Sequence, residues 1–387
     1  MTLDHPPARR RDARALDART EHGPVSATPS RLVVALCPGG AEASGGIGRM
    51  IAYLQTALRG IPGAPPLVIL DTRGPRHIAF APLYFARSLW QIAMLAARRR
   101  IGVLHVNLAS NGSTWRKLIV VAEARALGLT YIVHLHGADF RGFYASVPGF
   151  VKAAIRWMFH GGDAVVVLGQ AWKRFAVDTL RVDPARVRVI YNGAPAPARM
   201  NAPSGAVPVL LFLGRIDESK GMPELVAALS RPDLKGRPWR LVAAGIGEIA
   251  RFRAEADARG IGERVDFLGW VGRERVEELL VEATMLVLPS RYEGLPVAVI
   301  EAHAHGAPVI ACPVGATDEI VIDGETGLLV PPGDPDRLAD AIVRLLDDPA
   351  LRFRLGAAGR RLFEDRLDAD RIAADFARLY AEVGRPG

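Results

Sequence analysis

From Arg31 onward the chain alternates short runs of Val, Ile and Leu with longer segments of helical period, and it does so twice. Continuous apolar runs of this kind read as strands buried on both faces, which require crossover helices and a parallel sheet. Residues 32–37, 67–71, 103–107, 131–136, 164–168 and 187–191 are the predicted strands of the first half. A stretch rich in Pro, Gly and Ala, running from Asn192 to Gly205, then breaks the pattern as a linker does. The alternation restarts with strands over 209–213, 241–244, 265–268, 285–288, 309–311 and 328–330, and from Asp336 the chain reads as helices. The expected class is α/β, with two doubly wound parallel-sheet domains facing a central cleft at the carboxyl ends of their strands. The expected boundaries are 31–195 and 209–365, a linker over 196–208, and a C-terminal helix within 366–387 that packs back on the first domain.

Composition narrows the class of partner without choosing one. The chain has 387 residues, 50% of them hydrophobic and 23% charged, which suits a globular protein with a large core. Lys and Arg outnumber Asp and Glu by 49 to 41, a net charge of +8 that fits a phosphate-bearing small molecule, an anionic membrane or nucleic acid. Cys37 and Cys312 are far apart in sequence, so neither a disulfide framework nor a zinc knuckle is supported, and a reducing cytoplasm is the expected location. Residues 1–30 carry nine Arg, Asp and Glu and almost no large apolar side chain, which predicts a disordered leader and not a signal peptide. The apolar stretch 82–97 is interrupted by Arg87 and Gln91 and does not read as a membrane span.

The chemistry gathers on the loops that follow strands. Gly214 and Arg215, then Lys220 and Gly221, stand between a strand and a helix opened by Pro223, where a guanidinium and an ammonium suit a diphosphate. Ser290, Glu293, Gly294, Leu295 and Pro296 precede a helix over 297–305, whose start offers free amides and a positive dipole end to a phosphate oxygen. Glu301 lies among Val299, Ile300 and Ala302, so its carboxylate needs a partner. In the first half, Gly39, Gly40, Ser44, Gly45, Gly46 and Gly48 form a glycine-rich loop after the first strand. His134 and His136 share one face of a strand and, with Asp139, would open a metal site only if further ligands came from other strands.

The ordered set Gly214-Arg215, Lys220-Gly221, Gly245-x-Gly247, Phe267-x-Gly269, Ser290-x2-Glu293-Gly294-x-Pro296-x4-Glu301-Ala302 and Gly324-x2-Gly327 resembles the second domain of retaining family-four glycosyltransferases. The resemblance covers nearly all of 209–345 and implies the GT-B architecture of two Rossmann-like domains. It further implies that Arg215 and Lys220 bind the donor diphosphate, that Glu301 holds the ribose hydroxyls, and that Glu293 and His136 contact the transferred sugar. Gly45 and Gly46 would face donor phosphate and acceptor, Gly214, Gly245, Gly294 and Leu295 would line the donor site, and the loop at Val271 would meet the base. Asp139 and Asn192 are the acceptor-side candidates. Asn192-Gly193-Ala194-Pro195 lacks the acidic residue often found there in the family, which affects the crossover between domains.

The function expected from this resemblance is transfer of a sugar, with retention of configuration, from a UDP- or GDP-sugar to a glycan or lipid-linked acceptor in bacterial-type cell-surface polysaccharide synthesis. No cofactor and no metal are expected, and the Asp-x-Asp spacing at Asp368-Ala369-Asp370 lies in the C-terminal tail. The basic, aromatic segments 82–100 and 150–160 add an anionic membrane surface on the inner face of the plasma membrane as a candidate partner. No nucleic-acid partner is expected, because the basic residues track sheet loops and no RNA-binding aromatic motif is present. A nucleotide-sugar hydrolase or epimerase and a noncatalytic nucleotide-sugar-binding regulator are the competing readings.

Overall fold

The computed structural model describes residues 31–40, 45–74 and 80–384. The expected leader over 1–30 and Ser44 of the glycine loop lie outside the described residues. The first half builds β1 (Leu32–Cys37), β2 (Leu67–Asp71), β3 (Ile101–Leu108), β4 (Tyr131–Leu135), β5 (Ala164–Val167) and β6 (Val187–Val189) into one sheet of order β2-β1-β3-β4-β5-β6. Every pairing in it is parallel. Its helices are α1 (Gly46–Leu58), α2 (Ala81–Ala97), α3 (Gly112–Ala126), α4 (Phe140–Ser146), α5 (Gly149–Gly161) and α6 (Gln170–Arg174).

The second half repeats the plan with β7 (Val209–Leu213), β8 (Arg240–Ala244), β9 (Val265–Gly269), β10 (Met285–Leu288), β11 (Val309–Ala311) and β12 (Leu328–Leu329), in the order β12-β11-β10-β7-β8-β9. These pairings are parallel too. Its helices are α7 (Met222–Leu229), α8 (Pro232–Lys235), α9 (Ile249–Ala258), α10 (Arg273–Glu282), α11 (Val297–His305), α12 (Pro335–Asp347) and α13 (Pro349–Arg366), followed by α14 (Ala369–Val383). Helices on both faces bury the central strands, such as β1, β4, β5, β7 and β10, almost wholly, which is why these read as apolar runs.

Each sheet reverses its strand order once, between β1 and β3 in the first and between β7 and β10 in the second. Loops that leave the strands on either side of such a reversal diverge to opposite faces and open a crevice, the favoured ligand position in an open α/β sheet. The glycine loop follows β1, Arg215 follows β7, and Ser290 to Glu293 follow β10. The chain also crosses back at its end. The Ala194 amide donates to Leu367 O at 3.1 Å, the Ala369 amide donates to Ala194 O at 2.8 Å, and α14 then packs against α1. Asp368, the first residue of the Asp-x-Asp match, accepts from the Asp370 amide at 2.9 Å and caps α14. The linker is pinned: the Asn201 amide nitrogen donates to Leu280 O and Ala283 O, both at 2.7 Å.

Candidate active site

The two halves meet around a cavity of about 300 Å³ whose wall includes Gly45, Gly46, Arg49, Gly214, Arg215, Lys220, Gly245, Trp270, Val271, Glu293 and Val297. Residues from both sheets therefore enclose one space. The α1 helix starts at Gly46 and α11 at Val297, and the two starts face each other: a Cβ at Gly46 would lie 3.9 Å from Val297 Cγ2. First-turn amides have no partner within their helix and carry the positive end of its dipole, so two such ends aimed at one cavity favour an anion.

Backbone closeness shapes this wall. Gly245 has φ of +154°, and a Cβ there would collide with the carbonyl oxygen of Gly214, so the loops after β7 and β8 approach only because that side chain is missing. Gly294 comes similarly close to the first half, where a Cβ would lie 2.8 Å from His136 O.

The charged side chains that the second half brings to the cavity wall are paired. Lys220 Nζ donates to Glu293 Oε1 at 2.6 Å and to Tyr292 O at 3.2 Å, while Ser290 Oγ donates to the same Glu293 oxygen at 2.8 Å. Glu293 is 8% exposed, so this carboxylate is fixed between a cation and a hydroxyl at the cavity wall. Arg215 pairs with Asp217 at 2.8 Å. Asp217 Oδ1 also accepts from Ser219 Oγ at 2.6 Å and from the Lys220 amide at 3.2 Å, which sets the short turn carrying Lys220.

Glu301 is placed differently from its neighbours. Its carboxylate accepts from Arg49 Nη1 at 2.8 and 3.1 Å and from the Tyr53 hydroxyl at 2.7 Å, both on α1 of the other half. It borders a narrower recess with Tyr53, Arg273 and Glu277, while Arg49 lines both that recess and the main cavity. The partner that an apolar helix demands for Glu301 is thus an interdomain ion pair. Glu301 holds the Arg49 charge firmly, which raises that guanidinium's pKa, while burial followed by the Glu301 charge raises that of the Tyr53 phenol.

Other candidates lie behind the wall. His136 Nε2 bonds Asn107 Oδ1 at 2.8 Å, and His105 Nε2 bonds His134 Nδ1 at 3.0 Å. The rings of His134 and His136 lie tilted at 41° with centroids 3.7 Å apart, and His105 Nδ1 continues the chain to the Tyr380 hydroxyl on α14 at 2.7 Å. Burial, reinforced by the His105 charge, pushes His136 down to about 3, so its ring is neutral near pH 7. Among the described residues no three His, Cys, Asp or Glu side chains are grouped so as to hold a metal ion. Asn192 donates its amide to Leu295 O at 2.8 Å and ties the crossover to the Glu293 loop, Leu295 is buried, and Asp139 is exposed at the start of α4. The sequence reading does not single out Arg49, Tyr53 or Trp270, although Arg49 stands three residues past Gly46 on an amphipathic helix, which was the available signal.

Two family descriptions match the chain. "Glycosyl transferases group 1" matches residues 199–362 and "Glycosyltransferase Family 4" matches residues 44–196, so only 197 and 198 separate them. Alpha-D-kanosaminyltransferase of Streptomyces kanamyceticus is 34% identical over 179 residues, which are 46% of this chain and 46% of that protein, so the match spans about half of each. Sucrose-phosphate synthase of Thermosynechococcus elongatus has the same fold, with a TM-score of 0.76, 23% identity, and coverage of 91% of this chain and 98% of that one. Anabaena HepE, solved in complex with UDP-glucose, aligns with a TM-score of 0.72 and 17% identity over 90% of this chain and 99% of its own. The paired sheets, the cavity between them and the two adjoining matches agree, and the chain belongs to the family-four glycosyltransferases of GT-B fold.

Proposed function

We propose that the chain transfers a sugar from a nucleotide-diphosphate donor, a UDP- or GDP-sugar, to a glycan or lipid-linked acceptor with retention of anomeric configuration. The observation that carries this reading is the convergence of two helix starts, Arg215 and Lys220 on one cavity beside Glu293. When the bond between sugar and diphosphate breaks, negative charge develops on the leaving phosphate and positive charge on the sugar. Lys220, Arg215 and the α11 amides stabilise the first, and a fixed, buried Glu293 positions the second through the sugar hydroxyls. His136 lies behind the wall and supports the loop that carries Glu293 as a neutral group, its carbonyl close to Gly294. Glu301 takes the ribose diol, and Trp270 with the Val271 backbone borders the base. HepE, solved in complex with UDP-glucose, shares this fold and supports a nucleotide-sugar donor.

The placement of charge supports retention. Glu293 is the one carboxylate among the described residues of the cavity wall, and its Oε1 is held by Lys220 and Ser290. Among the described residues the wall offers no second carboxylate as a base on the opposite face of the sugar, which favours attack from the leaving-group side, with the departing phosphate taking the acceptor proton. The diphosphate has protein cations as partners, so transfer proceeds without a divalent metal. Assay with excess chelator, followed by NMR of the product anomer, tests both points. Unchanged activity and a retained anomer are expected; rescue by added magnesium or manganese, or an inverted product, overturns the corresponding claim. Free sugar or an isomerised nucleotide-sugar formed without any acceptor would instead favour a hydrolase or epimerase.

A membrane surface is the second part of the proposal. The α2 helix buries only Ser88 and Ile92, and Leu83, Trp90, Trp115, Ile119 and Phe150 are between 49% and 76% exposed on the first half. Apolar side chains beside Arg98, Arg99 and Arg100 suit the headgroup boundary of an anionic bilayer holding a lipid-linked acceptor, on the inner face of the plasma membrane. Lys152 and Arg156 contribute less than the sequence implies, because their charges already reach Ala145 O at 2.9 Å and the Tyr144 hydroxyl at 3.2 Å. Among the described residues no helix is long and apolar enough to cross a membrane.

A further inference from the structure

Glu301 cannot serve a ribose while keeping all its present partners. An ionised carboxylate offers about four acceptor positions. Arg49 takes both oxygens and Tyr53 takes Oε1 a second time, which leaves too few for the two donors of a ribose diol. Arg49 also stands between the carboxylate and the main cavity, since it lines both spaces and Glu301 lines only the recess. Its guanidinium, if released, already belongs to the wall that holds Arg215 and Lys220, where a diphosphate is the natural alternative partner.

We propose that Arg49 is a donor-binding residue that works by exchanging partners: the ribose diol displaces it from Glu301, and its guanidinium passes to the donor diphosphate. Tyr53 gives up its hydrogen bond in the same step. This rests on the donor reading given above and adds a consequence to it. Arg49 belongs to the first half and Glu301 to the second, so the exchange removes a direct tie between the halves as it builds a bridge through the ligand. A nucleoside alone must break the ion pair and has no phosphate to offer Arg49 in return. A nucleoside diphosphate supplies both replacements, so the diphosphate gains more affinity over its nucleoside than Arg215 and Lys220 alone would give.

Calorimetric titration tests the exchange with uridine and UDP, and with guanosine and GDP in parallel, on the wild type, Arg49→Met, Tyr53→Phe and Glu301→Gln. Arg49→Met is expected to bind the nucleoside at least threefold more tightly while the advantage of the diphosphate over the nucleoside falls at least tenfold. Tyr53→Phe is expected to raise nucleoside affinity and leave that advantage intact; it removes one hydrogen bond only, and decides the question alone if Arg49→Met does not fold. Nucleoside affinity unchanged or lower in Tyr53→Phe, or a diphosphate advantage unaltered in a folded Arg49→Met, overturns the exchange. If Glu301→Gln still loses nucleoside affinity in that case, the ribose reading survives. If Glu301→Gln has no effect, or neither nucleoside pair binds, the donor reading fails and the exchange fails with it.

Discussion

The cavity wall of the second half and the packing behind the wall of the first half are built from opposite kinds of polar chemistry. On the second half, Lys220 with Glu293, Arg215 with Asp217 and Glu301 with Arg49 form ion pairs at or beside the cavity. Behind the wall of the first half, His105, His134 and His136 pack ring against ring, buried and neutral, and they lead to Tyr380. An ion pair beside a cavity offers its cation to an arriving anion, and the trade is favourable where the carboxylate left behind gains donors in return, such as the hydroxyls of a sugar or ribose. A buried neutral stack has no charge to trade, and a proton added to it is expensive. The first arrangement suits recognition of a phosphate; the second fixes the shape of a loop.

The largest effect that tests this contrast is on turnover. Lys220→Ala is expected to lower kcat by about 10²- to 10³-fold, the usual loss when one donor to developing negative charge is removed. A steady-state assay with the donor that binds best measures it, and a kcat within a factor of three of wild type would remove Lys220 from the reaction. Glu301→Ala is expected to weaken nucleotide binding by about 1.5–3 kcal/mol, as for hydrogen bonds to a charged group. Glu293→Ala should mainly lower turnover. Equal nucleotide affinity in a folded Glu301→Ala protein would show that the ribose is held elsewhere.

The neutral packing behind the wall should reveal itself in acid. His105 and His136 are pushed down by burial to about 3, and His303 to about 4, from 6.5 in an unfolded chain. Between those values the unfolded state binds more protons than the folded one, so stability is complete above about pH 6.5 and is lost as pH falls. Each buried histidine contributes a slope of about 1.4 kcal/mol per pH unit in that window. Thermal melts from pH 7.5 to 4 should show Tm falling from near pH 6.5 downward, and His105→Phe should flatten the fall. A Tm constant to pH 4 would contradict a neutral buried stack. The smallest expected effect is at the membrane, where each basic residue near an anionic surface contributes about 1 kcal/mol, weakened by salt. Liposome sedimentation at low salt should show a preference for anionic vesicles that drops when Arg98, Arg99 and Arg100 are changed to Gln; equal sedimentation with neutral vesicles would assign the exposed face of α2 to another partner.

The strands were legible because a strand buried on both faces must be apolar throughout, so positions such as 209–213 and 285–288 announce themselves locally. Arg215, Lys220 and Glu293 were legible for a related reason, since each sits on a loop between a readable strand and a readable helix. Arg49 and Tyr53 were hidden because their partner Glu301 lies 252 and 248 positions away, and no local pattern on α1 encodes a contact that the interdomain packing creates. The chain from His105 to Tyr380 spans 275 positions and was hidden in the same way, although the apolar face of the last helix shows that it packs somewhere. Asp368-Ala369-Asp370 shows the converse: a spacing that reads as a metal pair is in fact one aspartate capping its own helix.

The central claim is that the cavity grips a nucleoside diphosphate through the cations of the second half. Calorimetric titration with UDP and GDP and with their nucleosides, on the wild type and on an Arg215→Ala, Lys220→Ala double variant, addresses it most directly. One diphosphate is expected to bind at least a hundredfold more tightly than its nucleoside, and the double variant is expected to lose at least tenfold of that advantage, keeping the part that Arg49 supplies, while still binding the nucleoside. Failure of both diphosphates to bind the wild type, or an undiminished diphosphate advantage in the double variant, would contradict the account.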